Sequence, residues 1–204
     1  MTEHKKITYI DGPDEKAFPN EDVAVLVNVL NNVDTVNSWA RHQAAIALRG
    51  EPSEERRQAI LDLDPAHWPI EQMLGFRDIG NTMIAKDGEK TVGMIGFEEH
   101  DRTPDGQRVF EIRRNTVLPE YRRQGIGRNL RESMLKRIQE IDSRALLISR
   151  IHKDNTPNQN LAGSTNFRKV SDTDMKQFGF TEEWVEQNKE WGYEFYVLDL
   201  SKEG

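Results

Sequence analysis

The 204-residue chain contains no cysteine. That absence excludes a disulfide framework, a thiolate zinc site and any chemistry that holds an acyl group on a protein thiol. Long apolar runs are missing as well: nothing approaches the roughly 18 residues of a membrane span, and Met1-Thr-Glu-His-Lys-Lys leads into no signal-like stretch. The expectation is a cytoplasmic protein with no membrane partner. Basic charge is in deficit, with 28 Lys and Arg against 35 Asp and Glu and a net charge of −7. A nucleic-acid partner calls for the opposite balance. His42, His67, His100 and His152 are scattered too widely to argue a metal site. No internal repeat or low-complexity linker divides the chain. With 36% hydrophobic and 31% charged residues it reads as one ordinary globular domain over residues 1–204.

What the chain does have is one concentrated signal, Val117-Leu-Pro-Glu-Tyr-Arg-Arg-Gln-Gly-Ile-Gly-Arg128. It leaves a strand-like stretch ending at Thr116-Val117 and enters a helical pattern from Leu130 to Ile141. A glycine-containing loop at a helix N-terminus presents unpaired backbone N–H groups backed by the helix dipole. Gly125 and Gly127 let an anion approach the backbone, and Arg122, Arg123 and Arg128 add positive charge. The plainer account is a strand-to-helix turn that needs glycine for geometry and arginine for solubility. Against it, a basic island on an acidic protein favours a small polyanionic ligand.

Along the chain, Lys6–Ile10 is a candidate edge strand, and helical spacing runs from Asn20-Glu-Asp to about residue 48. A further helix follows Ser53, and residues 64–80 look irregular. From Asn81 the period changes to that of strands: a hairpin around Asp87-Gly88, then a strand from Gln107 to Val117. Ala145–Ile151 is an apolar buried strand. His152–Asn166 is polar and Asn-rich, Phe167–Phe178 is a short helical pattern closed by Gly179, and Thr181–Glu186 with Tyr193–Leu200 form a closing hairpin.

Arg122-Arg-Gln-Gly125-Ile-Gly127 with its lead-in Val117-Leu-Pro119-Glu-Tyr121 resembles the acyl-CoA pyrophosphate loop of the GCN5-related N-acetyltransferases, the GNAT superfamily. The resemblance implies a mixed α/β (α+β) fold whose mostly antiparallel central sheet of about seven strands is flanked by helices. Residues 1–80 would be the helical substrate-side region and 81–200 the CoA-binding core, with Trp39 and Trp68 candidates for the substrate pocket. It implies acetyl-CoA as acyl donor, its pantetheine arm lying where two central strands splay apart. By the same resemblance Val117 contacts the arm, while Arg122, Arg123, Gln124, Gly125, Ile126, Gly127 and Arg128 surround the pyrophosphate. Asn155 resembles a cofactor-contacting asparagine, with Asn158, Asn160 and Asn166 competing for that assignment.

The implied reaction is direct acetyl transfer to a primary amine of a small molecule, peptide or protein by a monomer or homodimer. The amine must lose a proton and the departing thiolate gains one. Glu111 is the candidate base by its offset from Val117; a solvated strand glutamate paired with an arginine is the equal alternative. Strand alternation puts Glu111, Arg113 and Asn115 on one face. Glu98, Glu99 and His100 are further candidates. Many members place a proton-donating tyrosine four residues before the glycine of a Leu-Gly-Phe motif. With Phe178-Gly179-Phe180 in that place the position is Met175, leaving Ser164, Tyr193, Tyr196 or water as the acid. A catalytically weak or inactive CoA-sensing or partner-binding module is the alternative function.

Overall fold

The computed structural model describes residues 7–11, 18–31, 74–75 and 80–202. The elements run β1 (Ile7–Asp11), α1 (Asn20–Asn31), β2 (Thr82–Asp87), β3 (Lys90–His100), β4 (Val109–Val117), α2 (Ile126–Ile141) and β5 (Leu146–His152). Then follow α3 (Thr156–Ser164), β6 (Arg168–Val170), α4 (Asp172–Gln177), α5 (Glu182–Glu190) and β7 (Tyr193–Asp199). The strands form one seven-stranded sheet in the order β1-β2-β3-β4-β5-β7-β6. Among the described strands only the β4–β5 pair is parallel.

Local sequence accounts for the best-formed parts. Gly88 adopts the left-handed φ of +61° in the turn that joins β2 to β3, with Asp87 opposite Lys90. Ile126, Leu130, Met134 and Ile138 repeat every four residues and put one apolar stripe of α2 onto the sheet. Burying each such side chain contributes roughly 1.5–3 kcal/mol. Gly93 on β3 permits the close approach: a Cβ there would lie 3.0 Å from Leu130 and 3.1 Å from the Thr116 carbonyl. Two cores result. One joins α2 and α3 to the sheet through Phe110, Ile112, Leu130, Ala162 and Phe167. The other packs Val109, Ile148, Met175, Val185 and Phe195 under α4 and α5.

Several expectations change. The polar, Asn-rich segment after β5 contains a helix: Asn155 caps α3 by accepting from the Asn158 N–H. Phe167–Phe178 divides into strand β6 and the short helix α4, whose Ser171 and Asp174 form a reciprocal capping box. Thr181–Glu186 is no strand, because Thr181 caps α5 and two glutamates occupy its first turn. The edge partner of β7 is therefore β6. Strict alternation along β4 also fails: Met94 faces Thr116 but Gly96 faces Arg113, so β4 carries an extra residue. Arg114 takes a φ of +56° there, the signature of a bulge that re-aims the side chains after it. Helical expectations from residue 32 to 73, with Trp39, Trp68, His42 and His67, lie outside the described residues.

Candidate active site

The loop before α2 is built as a cradle of donors. Arg123 has φ +60° and Gly125 φ +80°, so successive peptide N–H groups turn inward as in an anion-binding nest. Gly125 is the N-cap of α2; no side chain caps the helix, and its first turn holds no acid. Among the described residues no cap or first-turn acid neutralises that positive end. Arg122, Arg123, Gln124 and Arg128 are exposed around it. Arg122 Nε donates to the Val117 carbonyl at 3.1 Å and Gln124 Nε2 to the Glu120 carbonyl at 3.2 Å, which ties the loop to the end of β4. Asn115 reaches the Gly127 carbonyl at 3.3 Å.

Beside this loop the sheet opens. The β4–β5 ladder ends at Glu111 opposite Ile148, although β4 continues to Val117 and β5 to His152. The gap is a cleft of about 150 Å³ whose walls include Glu111, Asn115, Arg131, Arg150, Asn155 and Tyr193. Beyond Glu111 the edge of β4 that turns towards β5 is free of the ladder, the arrangement a bound extended chain can pair with.

The cleft is rich in cations, with four arginines on its walls. Glu111 is 2% exposed. Arg150 grips it through Nε at 2.6 Å and Nη2 at 3.2 Å, and donates Nη1 to Asn188 at 2.9 Å. His100 Nε2 lies 2.9 Å from the other carboxylate oxygen, and Arg113 Nε 3.6 Å from the first. Burial alone would raise the Glu111 pKa; Arg150, Arg113 and the His100 hydrogen bond reverse that and hold it well below the usual carboxylate range. Because the carboxylate stays ionised and only accepts, His100 Nε2 is the donor of that bond. Arg150 also lies over Trp184, 5.4 Å from the ring centre. Among the other candidates, Glu98 pairs with Arg113, and Glu99 takes both Nε and Nη2 of Arg108 at 2.8 and 2.7 Å.

The remaining expected residues separate. Asn155 and Asn158 both line the cleft, whereas Asn160 and Asn166 are exposed. Tyr193 lines it too, its phenol pKa pushed up by burial against the opposing pull of Arg150, Arg114 and Arg113. Tyr196 bonds Glu194 at 3.3 Å, and Ser164 donates to the Leu161 carbonyl at 2.9 Å. Neither lines the cleft. Arg131 and Arg150 escaped the sequence reading. The signal was there: Arg150 interrupts the apolar run of β5, and Arg131 sits four residues after Gly127 and three before Met134 on the core-facing side of α2.

A family model, "Acetyltransferase (GNAT) family", matches residues 44–167. The chain belongs to this family. Solved structures with the same fold include an acetyltransferase from Streptococcus agalactiae at 14% identity and a TM-score of 0.61, covering 96% of this chain and 99% of that one. YncA from Salmonella typhimurium, solved with its cofactor acetyl-CoA, is 15% identical with a TM-score of 0.51, covering 96% and 95%. The N-acetylglutamate synthase of Neisseria gonorrhoeae, complexed with coenzyme A and N-acetyl-glutamate, is 14% identical with a TM-score of 0.56 over 97% of this chain and 36% of that one. No curated protein matches the sequence. Acetyl-CoA is thus the donor consistent with the GNAT fold.

The fold also corrects the reading of the tyrosine position. Phe178-Gly179 follows α4, and Met175 is fully buried in the core under α4 and α5, off the cleft. The residue that ends α3 in a left-handed turn and leads into β6 is Asn166, with φ +65°, followed by Phe167, where the GNAT match ends. Four residues before Asn166 stands Ala162, fully buried. Neither Met175 nor Ala162 carries a group that can donate a proton. Among the described residues no helix is long and apolar enough to cross a membrane.

Proposed function

We propose that the protein is an acetyl-CoA-dependent N-acetyltransferase that transfers the acetyl group directly to a primary amine. The observation that carries this reading is the junction of an uncapped, acid-free helix N-terminus with the open β4–β5 gap. Arg122–Arg128 hold the donor's pyrophosphate mainly through main-chain N–H groups and Asn155 contacts the cofactor. Val117 meets the pantetheine arm that runs into the gap. The fold is shared with the N-acetylglutamate synthase and with the NatC complex bound to Gag peptide and CoA; small-molecule and peptide acceptors both suit it.

In this reading Glu111 and its hydrogen-bonded partner His100 act as one unit on the amine's proton, through water. The carboxylate is too well stabilised as an anion to keep a proton, so it supplies fixed charge. The His100 imidazole, hydrogen-bonded to that charge, is the group that receives the proton. Tyr193 is the donor to the departing sulfur, since burial keeps its phenol protonated. Calorimetric titration with CoA and thiol release over an amine panel test the proposal. CoA binding with thiol release that depends on an amine supports it; no CoA binding sinks it. The missing tyrosine favours a second reading, a CoA-binding module without turnover, which binding with no thiol release for any amine would select.

A further inference from the structure

Arg131 is a buried cation with unpartnered donors. It is 1% exposed, yet its Nε and Nη1 have no hydrogen-bond partner. Nη2 donates to Asn158 Oδ1 at 3.2 Å, and the guanidinium lies over Phe167, 5.2 Å from the ring centre. No carboxylate among the described residues pairs with it, and burial lowers its pKa to about 10, so it is a cation at neutral pH. A buried, unsatisfied charged donor is costly, and here it is held in one orientation on the wall of the cleft.

Its place decides what it meets. Four residues separate Arg131 from Gly127, about 6 Å along the helix axis, so the guanidinium stands just inward of the pyrophosphate loop. It belongs to the α2–α3 face, with Asn158 and Phe167, where Phe110 and Ile112 of β4 also point. Glu111 alternates with those residues and points to the opposite face, beside Arg150 and Trp184. A protonated amine acceptor is repelled by Arg131 and attracted by Glu111. The donor's arm carries neutral amide carbonyls, each able to accept from a guanidinium. Resting on the donor reading above, we infer that Arg131 grips the pantetheine arm of acyl-CoA, one of its unpartnered N–H groups donating to a carbonyl oxygen of the arm.

The test is titration of the full chain with two ligands, CoA and adenosine 3′,5′-bisphosphate, which keeps the nucleotide and lacks the arm. Charge-assisted hydrogen bonds of this kind correspond to roughly ten- to hundredfold in affinity. Arg131→Met should weaken CoA by that factor and leave adenosine 3′,5′-bisphosphate unchanged. The melting temperature of the ligand-free variant should be unchanged or higher, which a purely structural arginine does not predict. Asn158→Ala, which frees the guanidinium to turn away, should give the same ligand-selective loss in smaller measure and covers the case of an Arg131 variant that fails to fold. Equal loss for both ligands, unchanged CoA affinity, or an effect confined to a carboxylate-bearing donor such as succinyl-CoA would each overturn the assignment. A wild-type protein that binds adenosine 3′,5′-bisphosphate and not CoA would remove the arm site while keeping the loop; one that binds neither removes the donor reading itself.

Discussion

Glu111 shows how burial changes what a residue can be asked to do. From sequence it was a strand carboxylate near the loop; in the fold it is a fully enclosed anion between Arg150, Arg113 and His100. Removing its charge alone leaves Arg150 buried without a counter-ion, so Glu111→Gln should cost about 3–5 kcal/mol of stability. Urea denaturation of Glu111→Gln beside the double variant Glu111→Gln/Arg150→Met checks this: the double variant should recover most of the loss, because both ends of the pair are gone. His100→Gln is the cleaner probe of proton transfer, since His100 is partly exposed. It should slow acetyl transfer with CoA affinity intact, which turnover assays beside calorimetric titration check. Tyr193→Phe should lower turnover by about 10²-fold, the low end for a lost acid, because a thiolate with a solution pKa near 8.5 needs protonation less urgently than an alkoxide. Wild-type turnover in Tyr193→Phe would hand that role to water. Met175 cannot serve: a tyrosine there would overpack a sealed core, typically at about 1–3 kcal/mol.

At the scale of elements, the loop before α2 separates two uses of glycine. Gly125 sits at φ +80° with open space around it, so its requirement is conformational; an alanine there costs about 1–2 kcal/mol in the left-handed region. At Gly127 a Cβ would meet Val117, Asn115 and Leu161 at ordinary distances of 3.7–3.8 Å. Gly127→Ala should therefore fold normally, and Gly127→Glu should fold yet bind CoA at least tenfold more weakly because an anion then occupies the cradle. Calorimetry on the two variants decides this; equal CoA affinity in Gly127→Glu would exclude the loop as the pyrophosphate site. Elements with strong periodicity or strong punctuation were legible from sequence: the Asp87-Gly88 hairpin, the strand into the loop, α2 and β5. The second half was not, for physical reasons. α3, Thr-Pro-Asn-Gln-Asn-Leu-Ala-Gly-Ser, has almost no apolar stripe, and its start is set by the Asn155 cap and Pro157. β6 is three residues long and exists through its pairing with β7. α5 buries only Val185 and Asn188 and so lacks the pattern that identifies a helix. The end of α3 was illegible too, because Asn166 takes there a left-handed φ of +65° that sequence assigns to glycine.

For the whole molecule, the parallel β4–β5 pairing is a short seam inside the sheet, with a buried or half-buried carboxylate near each end. β4 and β5 share only three paired positions, Val109↔Leu146 to Glu111↔Ile148, before they part to form the cleft. At the inner end of that ladder the Glu111–Arg150 bridge joins the strands. Near its other end Asp199 of β7 accepts from Gln107 at 2.9 Å, Ser201 Oγ at 2.6 Å and Lys202 at 2.8 Å, while Gln107 also donates to the Arg144 carbonyl. Burial works against the Asp199 anion, but the Lys202, Ser201 and Gln107 contacts outweigh it and bring its pKa down to about 2. Both groups have folded-state values below their unfolded ones, near 4.3 for Glu and 3.9 for Asp. Their stabilisation is complete above those unfolded values and is lost as pH falls through the folded ones, because the unfolded chain then takes up the protons first. Stability should be flat from neutrality to about pH 5 and fall steeply below pH 4. Replacing Glu111 and Arg150 together by uncharged residues should make that fall shallower, and Asp199→Asn should do so independently, the two sites lying at opposite ends of the ladder. Urea midpoints measured from pH 3 to 7 provide the check. Identical pH slopes in wild type and both variants would show that the parting of β4 from β5, and with it the cleft, is held by apolar packing on the two faces of the sheet and not by its buried charges.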